Sequence, residues 1–412
     1  MIVRWRKLLK RYIPGIISGG ADNDPSGIST YSICGAQFGY QLLWLLILST
    51  PMLIAVQAMS ARLGDVKKKG LMTIIREHYS PVISIAASVI LVLTNTATLG
   101  ADLAAVADAF GIITHSAFIL WVIPVAAVLW YLVVFKNYRN IEKYLFVLSF
   151  IFFAYVASGF LARPNWRDVL MAIVVPKITF SPRFFIMALG LLGTTITPFL
   201  FFWQAKQEVE EHTSGAELMQ RAKKEDIIIS PGFIYSNIIS LFIIISTASV
   251  LYVHGNGEIA SAQDAALGLV PIAGKFAGTL FAIGIIGSGL MAVPVLAASS
   301  AYVIAEAFGW RDSLSDTVNQ AKGFYAVLTG SIVIGIGIAM SGVNPIQALL
   351  YSQVFSGMLA PFLIILILLL CNDKKIMGNY MNGWFDNIFG GLAAVVMILG
   401  STGFFWHLLG FG

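Results

Sequence analysis

The chain has 412 residues, 58% of them hydrophobic and only 11% charged, with a formal net charge of +5. Its mean hydropathy is +0.83, whereas a soluble globular domain carries about 25% charged residues, so the composition excludes a soluble protein and indicates one embedded in a membrane. A basic balance can signal nucleic acid, but here Lys and Arg sit in short loops and beside apolar runs, which membrane topology explains. No nucleic-acid partner is expected.

Apolar runs long enough to span a bilayer centre near residues 26, 51, 96, 126, 152, 194, 242, 289, 331, 358 and 397. These eleven spans fill the chain, so residues 1–412 are expected to form one membrane domain with no soluble domain and no cleavable signal peptide. With the N-terminus in the cytoplasm and the C-terminus outside, 21 of the 26 Lys and Arg fall on the inner side. Arg163, Arg167, Lys177, Arg183 and Lys275 remain outside, a distribution that follows the positive-inside rule.

The first span is broken by Asp22-Asn23-Asp24-Pro25-Ser26-Gly27. A charge at mid-bilayer costs roughly 2.5–3.5 kcal/mol on insertion scales, so it persists only where something stabilises it. Proline removes a backbone donor and glycine disfavours helix, so the same residues unwind the chain and release carbonyl oxygens. Carboxylates beside free carbonyls form a site for a hard cation. As a continuous helix the segment would turn Asp22 and Asp24 roughly 160° apart, too far to share a cavity; unwinding removes that objection for at least one of them.

In the third span Asp102 is another carboxylate at membrane depth. No Lys or Arg is placed to pair with these aspartates, and the missing counter-charge is most simply a mobile cation or a proton. The sixth span carries a second interruption, Gly193-Thr194-Thr195-Ile196-Thr197-Pro198. It comes five spans after the first, and an odd offset makes the two broken helices antiparallel, as in an inverted repeat. Paired interruptions at corresponding positions of two halves mark a transporter's binding site. The repeats are expected at about 12–162 and about 183–371, with an extra eleventh helix at about 384–409.

Other features carry less. Cys34 and Cys371 lack any metal-ligand spacing and read as inert apolar residues. His78, His115, His212, His254 and His407 lie near span ends or in loops, and Glu208, Glu210, Glu211 and Glu217 form a solvated face after the sixth span. Small residues through the eighth span, Gly284, Gly287 and Gly289 among them, suit close helix packing. No P-loop, nucleophile elbow or zincin motif occurs, so the chain is not expected to be an enzyme.

Several stretches resemble the Nramp divalent-metal transporters. Asp24-Pro25-Ser26-Gly27 is similar to the family's Asp-Pro-Gly-Asn, and Gly35-Ala36-Gln37-Phe38-Gly39-Tyr40 to its Gly-Ala-Gln-Tyr-Gly-Tyr. Ser60-Ala61-Arg62-Leu63-Gly64, Ala101-Asp102-Leu103-Ala104, Ser352-Gln353-Val354 and Asn372-Asp373-Lys374-Lys375 follow in the family's order. The resemblance implies an all-α, LeuT-type inverted five-plus-five repeat with helices 1 and 6 broken and a divalent cation held between them. It implies Asp24 as the main ligand, Ala21 and Thr194 as carbonyl donors, and Gln57 and Gln353 as polar residues of the cavity. Asp22 joins them as a second carboxylate, and Asp102 as a proton-linked or supporting residue.

Four departures from the family pattern shape the expectation. Gly27 stands at the asparagine ligand, Thr197 at the methionine ligand, Phe199 and Gln204 at two histidines, and Ala105 at a third-helix glutamate. Thioether favours softer transition metals, whereas carboxylate, carbonyl, hydroxyl and water suit Mg²⁺ and Mn²⁺. Mg²⁺ also retains several waters, which fewer ligands in a wider pocket accommodate. The chain thus resembles the Nramp-related magnesium transporters. Loss of the titrating histidines implies flux without proton coupling.

The expected function is Mg²⁺ transport, with Mn²⁺ also carried, by a monomer in the cytoplasmic membrane, in contact with the lipid bilayer and without a resident cofactor. The alternatives are a proton-coupled Mn²⁺/Fe²⁺ importer and a non-transporting sensor on the same fold. An amino-acid carrier is disfavoured, because two carboxylates in the break would repel its substrate.

Overall fold

The computed structural model describes residues 22–135, 152–210, 225–255, 259, 261–314 and 316–408. The basic cluster before residue 12, Ala21, the Lys136–Lys143 loop and the acidic residues Glu211 and Glu217 lie outside the described residues.

All regular structure among the described residues is helical. In chain order the main helices are α1 (Pro25–Phe38), α2 (Leu43–Lys67), α3 (Leu71–His78), α4 (Pro81–Thr114), α5 (Ile119–Phe135), α6 (Phe153–Leu161) and α7 (Trp166–Val174). They continue with α8 (Pro182–Thr195), α9 (Pro198–Glu210), α10 (Glu225–Thr247), α11 (Ala277–Phe308), α12 (Lys322–Ala339), α13 (Pro345–Asn372) and α14 (Trp384–Leu408). Among the described residues eight stretches are long and apolar enough to cross a membrane, taking α8 with α9 as one. The other three expected spans correspond to α1, α5 and α6; undescribed residues precede α1 and α6 and follow α5. The protein is a multi-pass helical membrane protein.

The helix starts follow from local chemistry. Asp24-Pro25, Ser80-Pro81, Ser181-Pro182 and Asn344-Pro345 each place a capping side chain before a proline at the first helical position. The cap satisfies an orphan amide, and proline there lacks an N–H that would otherwise go unpaired. α11 stops at Gly309, whose φ of 70° is easily adopted only by glycine.

Two packed groups emerge. α4, α5, α11 and α12 form one, with α4 and α11 the principal pair. Gly289 of α11 lies so close to Val106 of α4 that a β-carbon has no room, which accounts for the small residues noted in that span. α1, α2, α8, α9 and α10 form the other. There Gly64 of α2 packs directly on the Ala205 carbonyl of α9, and Gly35 of α1 on α10 at Thr247 and Ile244. α13 touches both groups, meeting α8 at Gly193 against the Gln353 carbonyl and at Gly357 against the Leu189 carbonyl.

Candidate metal site

Asp22, Asn23 and Asp24 are non-helical, and helix begins at Pro25. The sixth span divides at Ile196 and Thr197, with α8 ending at Thr195 and α9 beginning at Pro198. Because Pro198 has no N–H, the Thr194 carbonyl lacks its ordinary helical donor; the Thr197 hydroxyl bonds it weakly at 3.4 Å.

Gly27 sits where the two breaks meet. A β-carbon there would lie 2.9 Å from the Thr194 hydroxyl, 3.1 Å from Asp24 Oδ1 and 3.5 Å from the Asp22 carbonyl oxygen. Its backbone does not require glycine, but its surroundings do: even a β-carbon would crowd the Thr194 hydroxyl and Asp24, so the wider pocket expected at this position is instead a close approach of the two breaks. Asp24, Asp22, Thr194 and Thr197 are all buried.

The three carboxylates share one pattern. Asp24 Oδ1 accepts the Gly27 amide at 2.5 Å, Asp22 Oδ2 accepts the Ser236 hydroxyl of α10 at 2.7 Å, and Asp102 Oδ1 accepts the Ser26 hydroxyl at 2.6 Å and amide at 3.1 Å. In each the second oxygen is buried without a hydrogen-bond partner among the described residues. Thr197 lies beside the Asp22 carboxyl but is turned toward Thr194. An unsatisfied buried acceptor is costly, and a charged one more so.

Among the described residues no basic side chain neutralises them. The buried basic residues described are Arg62 and Lys206. Arg62 pairs with Asp386 of α14 at 2.8 Å, and Lys206 with Asp312 at 2.6 Å and Glu306 at 3.7 Å.

Gln353 is brought to the site by α13, its carbonyl packed against Gly193 beside Thr194. Both atoms of its side-chain amide are buried without partners. Gln57 of α2 is equally buried and unpartnered, and no hydrogen bond ties its side chain to the other candidates. Three further residues were missed from sequence. Ser26 and Ser236 each hold one carboxylate, and Asn23 is buried with both amide atoms unpaired. Serines are common in apolar helices and gave no signal; only Asn23, between two aspartates, stood out by position. Glu208, expected on a solvated face, is instead buried, and it accepts the Gln204 side-chain amide at 2.9 Å one turn back on α9. Among the described residues no three His, Cys, Asp or Glu side chains cluster as a metal cage. His78 and His254 each contact a carbonyl one turn back on their own helices, and both cysteines are buried and free.

The arrangement has known counterparts. The family model for natural resistance-associated macrophage protein-like proteins matches residues 15–407. The Eremococcus coleocola manganese transporter, solved with an aromatic bis-isothiourea substituted compound, is similar with a TM-score of 0.78 at 21% identity, over 96% of this chain and 86% of that one. A histidine-to-alanine mutant of that transporter gives a TM-score of 0.78 at 20% identity with the same coverage. Mhp1, a nucleobase-cation-symport-1 family transporter solved in a closed conformation, gives 0.59 at 13% identity, over 96% of this chain and 91% of that one. The fold is thus the LeuT-type inverted repeat with helices 1 and 6 broken. Matched along nearly its whole length, the chain belongs to the Nramp family of metal transporters and is a membrane transporter rather than an enzyme.

Proposed function

We propose that this protein carries Mg²⁺, and also Mn²⁺, across the cytoplasmic membrane by alternating access without proton coupling. The observation that supports this best is the set of three buried carboxylates, Asp22, Asp24 and Asp102, each with one oxygen held and, among the described residues, the other unpartnered and no basic residue to neutralise them. A divalent cation supplies that charge. Asp24, the Thr194 carbonyl and, from outside the described residues, Ala21 are its nearest donors. Asp22, Thr197, Gln353 and Gln57 hydrogen-bond its retained waters. Carboxylate, carbonyl and hydroxyl donors around a partly hydrated ion suit Mg²⁺. The ion is cargo, and the protein works as a monomer with no resident cofactor.

Phe199 and Gln204 leave the sixth helix without a histidine to titrate near neutral pH, which supports uncoupled flux. The second reading is a proton-coupled Mn²⁺/Fe²⁺ importer, favoured by the structural likeness to a manganese transporter and by the presence of Asp102.

Purified protein in liposomes, followed with Mg²⁺-sensitive and pH-sensitive dyes, tests both. The expected result is saturable Mg²⁺ uptake without lumen acidification, abolished by Asp24→Asn in a variant that still purifies as a folded monomer. Mn²⁺ uptake with matching acidification and no competition by millimolar Mg²⁺ would instead establish the importer.

A further inference from the structure

Two carboxylates converge on the N-terminus of α1. Asp24, the residue before the helix, accepts the Gly27 amide, and Asp102 reaches across from α4 to accept the Ser26 amide at 3.1 Å and the Ser26 hydroxyl at 2.6 Å. The first amides of a helix have no partner within it, and the helix dipole favours negative charge there. Asp102 thereby caps a helix to which it does not belong.

The motif that this stretch resembles has glycine at the second position after the aspartate, so the hydroxyl bond belongs to this chain rather than to the pattern. Ser26 and Asp102 are fully enclosed, and the contact joins the two packed groups: α1 packs with α8 and α10, while α4 packs with α11. Pro25 also approaches Gly289 of α11, so the first turn of α1 is seated on that pair. Asp24 and Gly27 flank Ser26, and Gly27 faces Thr194. Any shift of this turn therefore moves the unpartnered Asp24 oxygen relative to the Thr194 carbonyl.

We propose that Ser26 is a positioning residue for the transported ion: by clasping Asp102 it fixes the first turn of α1 so that Asp24 stays aimed across the break at Thr194. This rests on the reading of Asp24 as the ion's main ligand. Ser26 touches no ion itself and acts through the geometry of the turn.

The test uses the full chain in liposomes with Mn²⁺ and, separately, Mg²⁺ as probes. Ser26→Ala is expected to raise KM about tenfold, the order expected for a lost hydrogen bond to a charged group, with maximal rate within about twofold. Asp102→Asn keeps an acceptor for Ser26 and is expected to raise KM less than Asp102→Ala; both lose the charge, so the difference isolates the acceptor. In the Asp102→Ala background, Ser26→Ala is expected to have no further effect. If the alanine variant is not recovered, Ser26→Gly, which restores the motif's residue, replaces it.

A parental KM for Ser26→Ala, or effects of the two alanine variants that multiply fully, would overturn the clasp. A fall in maximal rate at unchanged KM would mark a merely structural contact and overturn it equally. Asp24→Asn in the same vesicles separates the failures, because retained uptake there defeats the site reading whatever Ser26 does.

Discussion

Gly27 and Thr197 carry the specificity argument at the scale of single residues. Each replaces a ligand of the family pattern, and together they exchange a side-chain oxygen and a soft sulfur for a close backbone approach and a hydroxyl. The double variant Gly27→Asn/Thr197→Met is expected to cut Mg²⁺ uptake at least about tenfold relative to Mn²⁺, since thioether favours the softer ion and a side chain at position 27 pushes against the Thr194 hydroxyl and Asp24. Uptake of both ions by this variant, measured in competition, checks it. Ala21 and Thr194 were expected as carbonyl donors from the resemblance alone; Pro198 stands four residues after Thr194, so the Thr194 carbonyl lacks its normal helical donor. Ser26 and Ser236 were not legible, because nothing in an apolar helix distinguishes a serine bonded to a distant carboxylate from one bonded to its own backbone.

At the scale of elements, buried ion pairs tie helices together at their ends. Lys206 on α9 contacts Asp312 and Glu306 and lies 5.2 Å from the centre of the Tyr302 ring. Glu306 in turn accepts the Met72 and Thr73 amides at the start of α3, at 3.0 and 3.1 Å. One lysine thus links the broken sixth span, α11 and the α3 connector. Lys206→Met strands two acidic groups and is expected to destabilise the protein by about 2–3 kcal/mol, less than a fully enclosed pair because Asp312 is partly exposed. The exposed Lys69 pairs with Glu77 at 2.7 Å, and Lys69→Met should cost less than about 1 kcal/mol. Thermal unfolding of the two detergent-purified variants compares them directly. The Lys69 hydrogen bond holds the Glu77 carboxyl below its usual range, so that contribution is present at neutral pH and is lost as pH falls through the lowered value.

For the whole molecule, the charge distribution supports a proposed orientation that packing alone leaves open. An N-inside, C-outside chain puts Lys69 on the cytoplasmic face and Lys275 outside. Single cysteines at these two positions, in a background with Cys34 and Cys371 replaced, should react with an impermeant maleimide from opposite sides of intact cells. Labelling of both from outside would refute the topology. Alternating access by this fold requires one packed group to rock against the other, and the Ser26 to Asp102 contact and the Lys206 cluster both lie across that boundary.

Composition, span count, the two interruptions and the departures from the family motif were all determined by the sequence, because each is local: an apolar run, a proline, an absent ligand type. The pairing of carboxylates with hydroxyls from other helices was decided only by tertiary structure. Asp102 and Ser26 stand 76 residues apart, and Asp22 and Ser236 stand 214 apart; no periodicity encodes such contacts. Sequence placed three aspartates at membrane depth without a basic partner. The fold decided that each has one oxygen held and the other without a partner among the described residues, since that depends on which helices the glycine contacts at Gly35, Gly193 and Gly289 allow to approach.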